Sequence, residues 1–316
     1  MSTADVVVLA GPTASGKSAL ALDLAERFAG VVVNADAMQV YREMSVLTAR
    51  PDAVAEARAP HRLYGVVSAT AACSVGRWRA WAVAEIRAVQ AGGGLPIVVG
   101  GTGLYLRALT EGLAPVPPVP AAIRAGVRAR LEAIGPAALH AELGARDPAM
   151  AARLRPSDSQ RLARATEVLE ATGRSLADWQ ADVAPREAFR VLTLLLAPPR
   201  ATLHAACDTR FRAMVASGAL DEARAVRTLR LDPELPAARA LGLRELIRHL
   251  EGEIGLEEAI GLAQVATRQY AKRQMTWFRN QLAEPVIFFE QYSERVRHEI
   301  FAKIEHWQLT RPSPSD

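Results

Sequence analysis

Cysteine and lysine are both scarce in this 316-residue chain, and each scarcity excludes something. Cys73 and Cys207 stand far apart and away from any His/Cys ligand spacing, so neither a disulfide framework nor a structural zinc site is expected. Lysine occurs only as Lys17, Lys272 and Lys303, so the formal charge of +4 is carried almost wholly by arginine. That balance permits a nucleic-acid partner without requiring one, and GC-rich coding would give the same enrichment in arginine and alanine. No apolar stretch approaches the ~18 residues of a membrane span, and no basic region leads into a signal-peptide core. A cytoplasmic protein with no membrane partner is the expectation. Half of the residues are hydrophobic, which excludes a mainly disordered chain. At ~100–200 residues per domain the length suggests two domains, or one with a large insertion. No internal repeat is visible.

What is present begins with alternating strands and helices. Val6-Val7-Val8-Leu9-Ala10 is a short apolar run rich in β-branched residues, as expected for a strand buried on both faces of a parallel sheet. Ser18 to Phe28 places Leu20, Leu24 and Phe28 on one helical face, and Val31-Val32-Val33 leads to Asn34-Ala35-Asp36. A helix over about 76–90 precedes a third strand, Pro96-Ile97-Val98-Val99, which ends in Gly100-Gly101-Thr102-Gly103. This order predicts an α/β fold with a parallel sheet flanked by helices and right-handed crossovers. Ala114-Pro115-Val116-Pro117-Pro118-Val119-Pro120 then reads as a stiff linker. Helical sequence follows, with breaks at Gly135-Pro136, Asp147-Pro148 and Arg155-Pro156. Val191 to Leu196 reads as a strand returning to the sheet. The expected organisation is a core of residues 1–115 with 191–316, and a mostly α-helical insertion over 116–190. Further helices are expected over about 201–230, 237–251 and 256–282, with an edge strand at 285–289 and a disordered tail from Thr310.

Gly11-Pro12-Thr13-Ala14-Ser15-Gly16-Lys17-Ser18 fits G-x-x-x-x-G-K-[ST] and lies between a buried strand and a helix, where a P-loop must lie. Its glycines let successive N–H groups point at an anion, and the helix N-terminus adds its positive end. Lys17 supplies a full charge to a di- or triphosphate, and the Ser18 hydroxyl is a candidate ligand of Mg2+. The motif is one found in ATP-binding proteins, yet the strand at 97–99 ends without the carboxylate that a nucleotide hydrolase uses to help hold magnesium. Asp36 is the only acid closing a core strand in this region. It reads as a helix cap for the segment from Met38, a magnesium ligand, or a general base beside the polyphosphate, and spacing does not separate these.

The P-loop together with Asp36-Ala37-Met38-Gln39-Val40-Tyr41, Pro60-His61-Arg62-Leu63 and Gly100-Gly101-Thr102-Gly103-Leu104-Tyr105 resembles the tRNA dimethylallyltransferase (tRNA isopentenyltransferase) family of bacterial type. Gln160 to Ala165, Ala216-Ser217-Gly218, Ala240 to Arg244 and Thr267 to Gln274 continue the resemblance in family order. It implies a P-loop NTPase-like fold and transfer of a dimethylallyl group from dimethylallyl diphosphate to N6 of the adenosine just 3′ of the tRNA anticodon. The loop Gly11 to Ser18 would then hold a diphosphate with Mg2+ rather than ATP. By the same resemblance Asp36 is the general base, Thr102 contacts the target nucleotide and Arg224 faces the diphosphate. The tRNA contacts it implies fall on Asp36, Ala37, Met38, Gln39, Thr102, Arg124, Gln160, Arg161, Leu162, Ala163, Arg164, Arg239, Ala240, Leu241, Gly242, Leu243 and Arg244, in a protein expected to be a monomer. Ala37 replaces the family's usual serine and Leu47 its usual glycine, which removes one hydroxyl and is expected to alter a turn.

Chemistry agrees with that reading. A cation-like allylic transition state needs an apolar pocket and positive groups to receive the leaving diphosphate. Gln160 and Arg164, one helical turn apart with Arg161 beside them, form either an RNA-gripping face or an ordinary solvated one. Tyr270, Trp277 and Phe278 read as core residues, and His61 as structural. A P-loop phosphotransferase acting on a small metabolite is the alternative enzyme class, and a non-catalytic RNA-binding protein is a third.

Overall fold

The computed structural model describes residues 4–182 and 186–310. The disordered tail expected beyond Thr310 lies outside the described residues. Six strands form one parallel sheet: β1 (Ala4–Ala10), β2 (Gly30–Asn34), β3 (His61–Arg62), β4 (Leu95–Gly100), β5 (Phe189–Leu196) and β6 (Val286–Phe288), in the order β3-β2-β4-β1-β5-β6. The central strand pairs Val8 with Val98 of β4 on one side and with Thr193 of β5 on the other. Because side chains alternate along a strand, Val6 and Val8 enter one apolar core while Val7 and Leu9 enter another. The expected returning strand and edge strand are thus both present.

The helices are α1 (Lys17–Arg27), α2 (Ala53–Arg58), α3 (Val75–Ala91), α4 (Gly103–Thr110), α5 (Ala121–Arg146), α6 (Pro148–Ala151), α7 (Ser159–Thr172), α8 (Leu176–Ala181), α9 (Arg200–Met214), α10 (Leu220–Thr228), α11 (Leu243–Leu250), α12 (Leu256–Gln281) and α13 (Glu294–Leu309). The first core packs residues of α3, α4 and α9 to α12 against the sheet, and the second takes Leu20 and Leu24 of α1 with Val296, Ile300 and Ile304 of α13. Contacts divide the chain into two compact units, one formed by residues up to Thr110 and from Glu187, the other by Glu111–Arg186. The second unit has its own core, in which Leu139 and Leu143 meet Leu162, Ala165 and Val168.

Some helix boundaries differ from the sequence expectation. The helix foreseen over 201–230 is interrupted by a wide turn at Val215–Ala219, where Gly218 takes a left-handed backbone (φ 102) that helix sequence alone does not forbid. Likewise Pro236–Arg239 is a tight turn, and α11 starts only after left-handed Gly242 (φ 82). Within the second unit, α5 bends where Gly135 leaves helical geometry before Pro136, as the sequence break suggested. No helix among the described residues is long and apolar enough to cross a membrane.

All strands being parallel, their carboxyl ends open on one edge, and the loops leaving β1, β2 and β4 meet there. Two of them pack tightly at Gly100, where a Cβ would stand 2.0 Å from the Ala35 carbonyl oxygen. Ala35 donates to Val99 (2.7 Å) and accepts from the Thr102 amide (3.3 Å), so the two loops are sewn together.

Candidate active site

The loop after β1 is built to surround an anion. Ala14 (φ 63) and Gly16 (φ 88) both take left-handed backbones, turning neighbouring N–H groups to one side. Gly16 precedes α1 without any side-chain cap, so the first amides of that helix remain available to a ligand. Ser15 is fully buried, and its hydroxyl has no hydrogen-bond partner among the described residues. Lys17 is buried with its Nζ 3.2 Å from the Pro12 carbonyl oxygen, to which it donates. Its pKa is lowered from 10.5 to about 8, chiefly by burial; the charge of Asp36 opposes this and that of Arg210 adds to it.

Asp36 is set by Asn34, whose side chain accepts from the Asp36 amide (2.8 Å) and donates to the carbonyls of Asp36 (3.0 Å) and Leu63 (3.1 Å). The Asn34 carbonyl accepts in turn from the indole of buried Trp78 at 2.8 Å. One Asp36 carboxylate oxygen accepts the Met38 amide at 2.9 Å, but the chain continues into turns, so the cap reading reduces to a local Asx-turn. Thr102 accepts the Ala37 amide at 2.9 Å, which ties the acid's loop to the end of β4. The Gln39 amide nitrogen is spent on the carbonyls of Thr48 (2.9 Å) and Ala49 (2.8 Å). Leu47 does not strain its turn: it is buried, and the left-handed residue of that loop is Ala49 (φ 49).

Two arginines near the site differ in their surroundings. Arg224 lies on α10, half exposed, and pairs with Asp221 on its own helix. The arginine that feels Asp36 and Lys17 is Arg210 of α9, whose guanidinium is held below its ordinary pKa by burial and supported by the Asp36 charge. Its signal in the sequence was weak: α9 buries Leu203, Cys207 and Phe211, and Arg210 is the one cation placed a single turn beyond Cys207. Arg210 also lines a cavity of about 30 Å³ with Thr13, Cys207, Leu47, Phe211, Met214, Leu241 and Thr267. Tyr270, expected in the core, is half-buried beside Asp36 and Thr102, and burial together with the Asp36 charge raises its pKa. Gln274 of α12 was not foreseen; its side chain joins Thr13 to Gly101.

The residues expected to contact RNA divide by exposure. On α7, Gln160, Arg161 and Arg164 are exposed, Arg161 lying 3.5 Å from Asp158 and Arg164 3.7 Å from Glu167. Leu162 and Ala163 belong to the buried stripe of that helix. Arg124 is exposed on α5. In the first unit Arg239 and Arg244 are exposed, whereas Ala240 and Leu243 are buried beneath them. These two arginines, with Leu241 and Gly242, also line a cavity of about 790 Å³ between α10 and α11, where Arg227, Arg230 and Arg248 join them. That groove does not include the phosphate loop, which lies instead on the small cavity at Arg210.

Comparison with known proteins adds a second line of observation. Residues 39–281 match the family described as IPP transferase. The chain is 58% identical over 282 residues to a tRNA dimethylallyltransferase of Rhodospirillum rubrum, covering 89% of this chain and 86% of that one. It is 55% identical to the corresponding protein of Parvibaculum lavamentivorans, covering 96% and 97% of the two chains. A tRNA isopentenylpyrophosphate transferase of Bacillus halodurans superposes with a TM-score of 0.68 at 30% identity, over 96% of this chain and 98% of its own. A eukaryotic dimethylallyltransferase acting on tRNA gives a TM-score of 0.84 at 25% identity, over 99% and 82%.

The cations of Lys17, Arg210 and Arg224 can be tested separately. Lys17, with a pKa of about 8, carries its charge below that value and loses it above. Affinity for inorganic diphosphate, measured by calorimetry, should therefore fall as pH rises from 7 to 9 relative to Lys17→Arg, whose charge persists; parallel pH profiles would contradict this. Arg210→Ala should weaken diphosphate binding by about tenfold or more, as loss of a charge-assisted hydrogen bond does, while Arg224→Ala leaves it within about twofold. The reverse ranking would assign the diphosphate to Arg224 instead.

Proposed function

This chain belongs to the IPP transferase family, and from that membership and the site geometry we propose that it is a tRNA dimethylallyltransferase acting on N6 of the adenosine just 3′ of the anticodon. The observation that supports this reading most is the mutual influence of Lys17, Arg210 and Asp36, two cations and one acid brought together from three chain segments. A phosphotransferase needs cations at the γ-phosphate and an acid to help hold magnesium; here β4 ends in Gly100-Gly101-Thr102 with no carboxylate. An allylic diphosphate needs only its diphosphate gripped and its hydrocarbon kept dry. The loop amides, Lys17 and Arg210 suit the first task. Leu47, Phe211, Met214 and Leu241, around the cavity beside Thr13, suit the second.

In the proposed reaction the adenine N6 attacks the allylic carbon, the carbon–oxygen bond to the diphosphate breaks, and the N6 proton passes to Asp36. The N6 lone pair is delocalised into the ring, so removal of the proton as the bond forms is worth ~10²–10⁴-fold. Thr102 holds the Ala37 amide and hence the Asp36 loop, and in this reading it also meets the nucleotide. Lys17 and Arg210 receive the developing diphosphate charge at the start of α1. An adenosine flipped out of its stack is the form such a site can admit.

The donor set fits Mg2+ in a limited way. Among the described residues no cluster of His, Cys, Asp or Glu could cage a metal, but Ser18 is exposed at the start of α1 beside the phosphate loop. A magnesium ion would take one ligand from the Ser18 hydroxyl and the remainder from diphosphate oxygens and water, as this hard cation commonly does. Bound there, it would supply further positive charge to the leaving group.

Incubation with unmodified tRNA and dimethylallyl diphosphate, followed by nucleoside mass analysis, tests the activity. The expected product is N6-(dimethylallyl)adenosine; transfer of phosphate from ATP to a small acceptor in its place would favour the phosphotransferase. Asp36→Asn keeps size and hydrogen bonding but cannot take the proton. Its single-turnover rate should fall roughly 10²-fold or more with both substrates still bound, and a near-normal rate would remove Asp36 from the base role.

A further inference from the structure

The Gln274 side chain, 5% exposed on α12, makes two hydrogen bonds to distant parts of the chain. Its Oε1 accepts the Thr13 amide at 2.9 Å in the loop after β1, and its Nε2 donates to the Gly101 carbonyl at 2.9 Å in the loop after β4. The first loop is the one that would hold the diphosphate. The second carries Thr102, the next residue along and the partner of the Asp36 loop. The fit is close: a Cβ on Gly101 would stand 2.2 Å from Gln274 Nε2, so glycine there is what lets the amide reach its carbonyl. Tyr270, one turn earlier on the same helix, has its hydroxyl influenced by both Thr102 and Gln274.

A primary amide is the right group for such a bridge because it accepts at one end and donates at the other. Ionised glutamate only accepts, so it would oppose the Gly101 carbonyl. Protonated glutamate donates as the amide does. Methionine fills a similar volume with neither capacity.

We infer that Gln274 is a positioning residue that fixes the separation between the allylic carbon of the donor and N6 of the acceptor. It does so by holding the donor's loop and the acceptor's loop at one spacing. The inference rests on the transferase reading above. Gln274 touches no reacting atom in this account, so its removal should act on the transfer step and not on binding of either substrate.

The experiment is single-turnover transfer from dimethylallyl diphosphate to unmodified tRNA, with the two dissociation constants measured separately. Gln274→Met should slow transfer by about tenfold or more while both dissociation constants stay within about threefold, the pattern of lost alignment. Gln274→Glu gives a sharper signature and needs no comparison between differently folded proteins. Its rate relative to wild type should be low near pH 8.5 and climb toward one near pH 5.5, as the buried carboxyl takes up a proton. Taking the ratio to wild type cancels the pH dependence that the two proteins share. A ratio that is flat across this range, or a folded Gln274→Met with wild-type transfer, overturns the inference while leaving the transferase reading intact. A wild-type protein that transfers nothing overturns both.

Discussion

The carbonyl of Ala35 lies so close to Gly100 that no side chain fits between them, and this contact governs the rest of the site. It brings the loop after β2 against the end of β4, letting Thr102 accept the Ala37 amide and Asp36 stand beside the phosphate loop. Asn34 and Trp78 fix the acid's loop from below, and Gln274 fixes the phosphate loop from the side. The site is thus assembled by main-chain hydrogen bonds to buried amide and indole groups, with few ion pairs. Such bonds are directional and costly to leave unmade in an interior, so they define positions closely.

Electrostatics then determine what the site can accept. Lys17 and Arg210 are two cations with little water around them, and Asp36 opposes their depression only in part. A shift of Lys17 from 10.5 to about 8 makes its charged form less favourable by on the order of 3 kcal/mol. A diphosphate entering the loop would supply the missing anionic charge and favour the lysine's charged form. In the proposed reaction the same arrangement would stabilise a leaving group whose negative charge grows as the bond breaks. A site that is short of negative charge before its ligand arrives is suited to an anion that is released only after it has reacted.

Much of this was legible in the sequence because it depends on local pattern. The P-loop between an apolar β-branched strand and a helix, the acid after the second strand and the Gly100-Gly101-Thr102 end of the third are short-range signals, and the blocks in family order extended them. What was not legible depended on tertiary placement. Arg210 and Arg224 lie on successive helical segments, and only the wide turn at Val215–Ala219 with the packing of α9 decides which one turns inward. Leu162 and Ala163 sit between exposed Arg161 and Arg164, and the helix period buries both, Leu162 in the core of the second unit. Tyr270 and Gln274 read as ordinary members of a long helix, because their partners are remote in sequence. Helix α13 escaped notice although Val296, Ile300 and Ile304 recur every four residues, since its remaining residues are mostly polar.

The central claim is that the P-loop here serves an allylic diphosphate and not a nucleotide. Calorimetric titration of the wild-type protein with a non-reactive dimethylallyl thiodiphosphate and with ATP, each in the presence of Mg2+, tests it most directly. The account predicts saturable one-to-one binding of the allylic analogue, competed by inorganic diphosphate, and at least about tenfold weaker binding of ATP, a preference of about 1.4 kcal/mol. Tighter binding of ATP, or ATP hydrolysis unaffected by the allylic analogue, would contradict it.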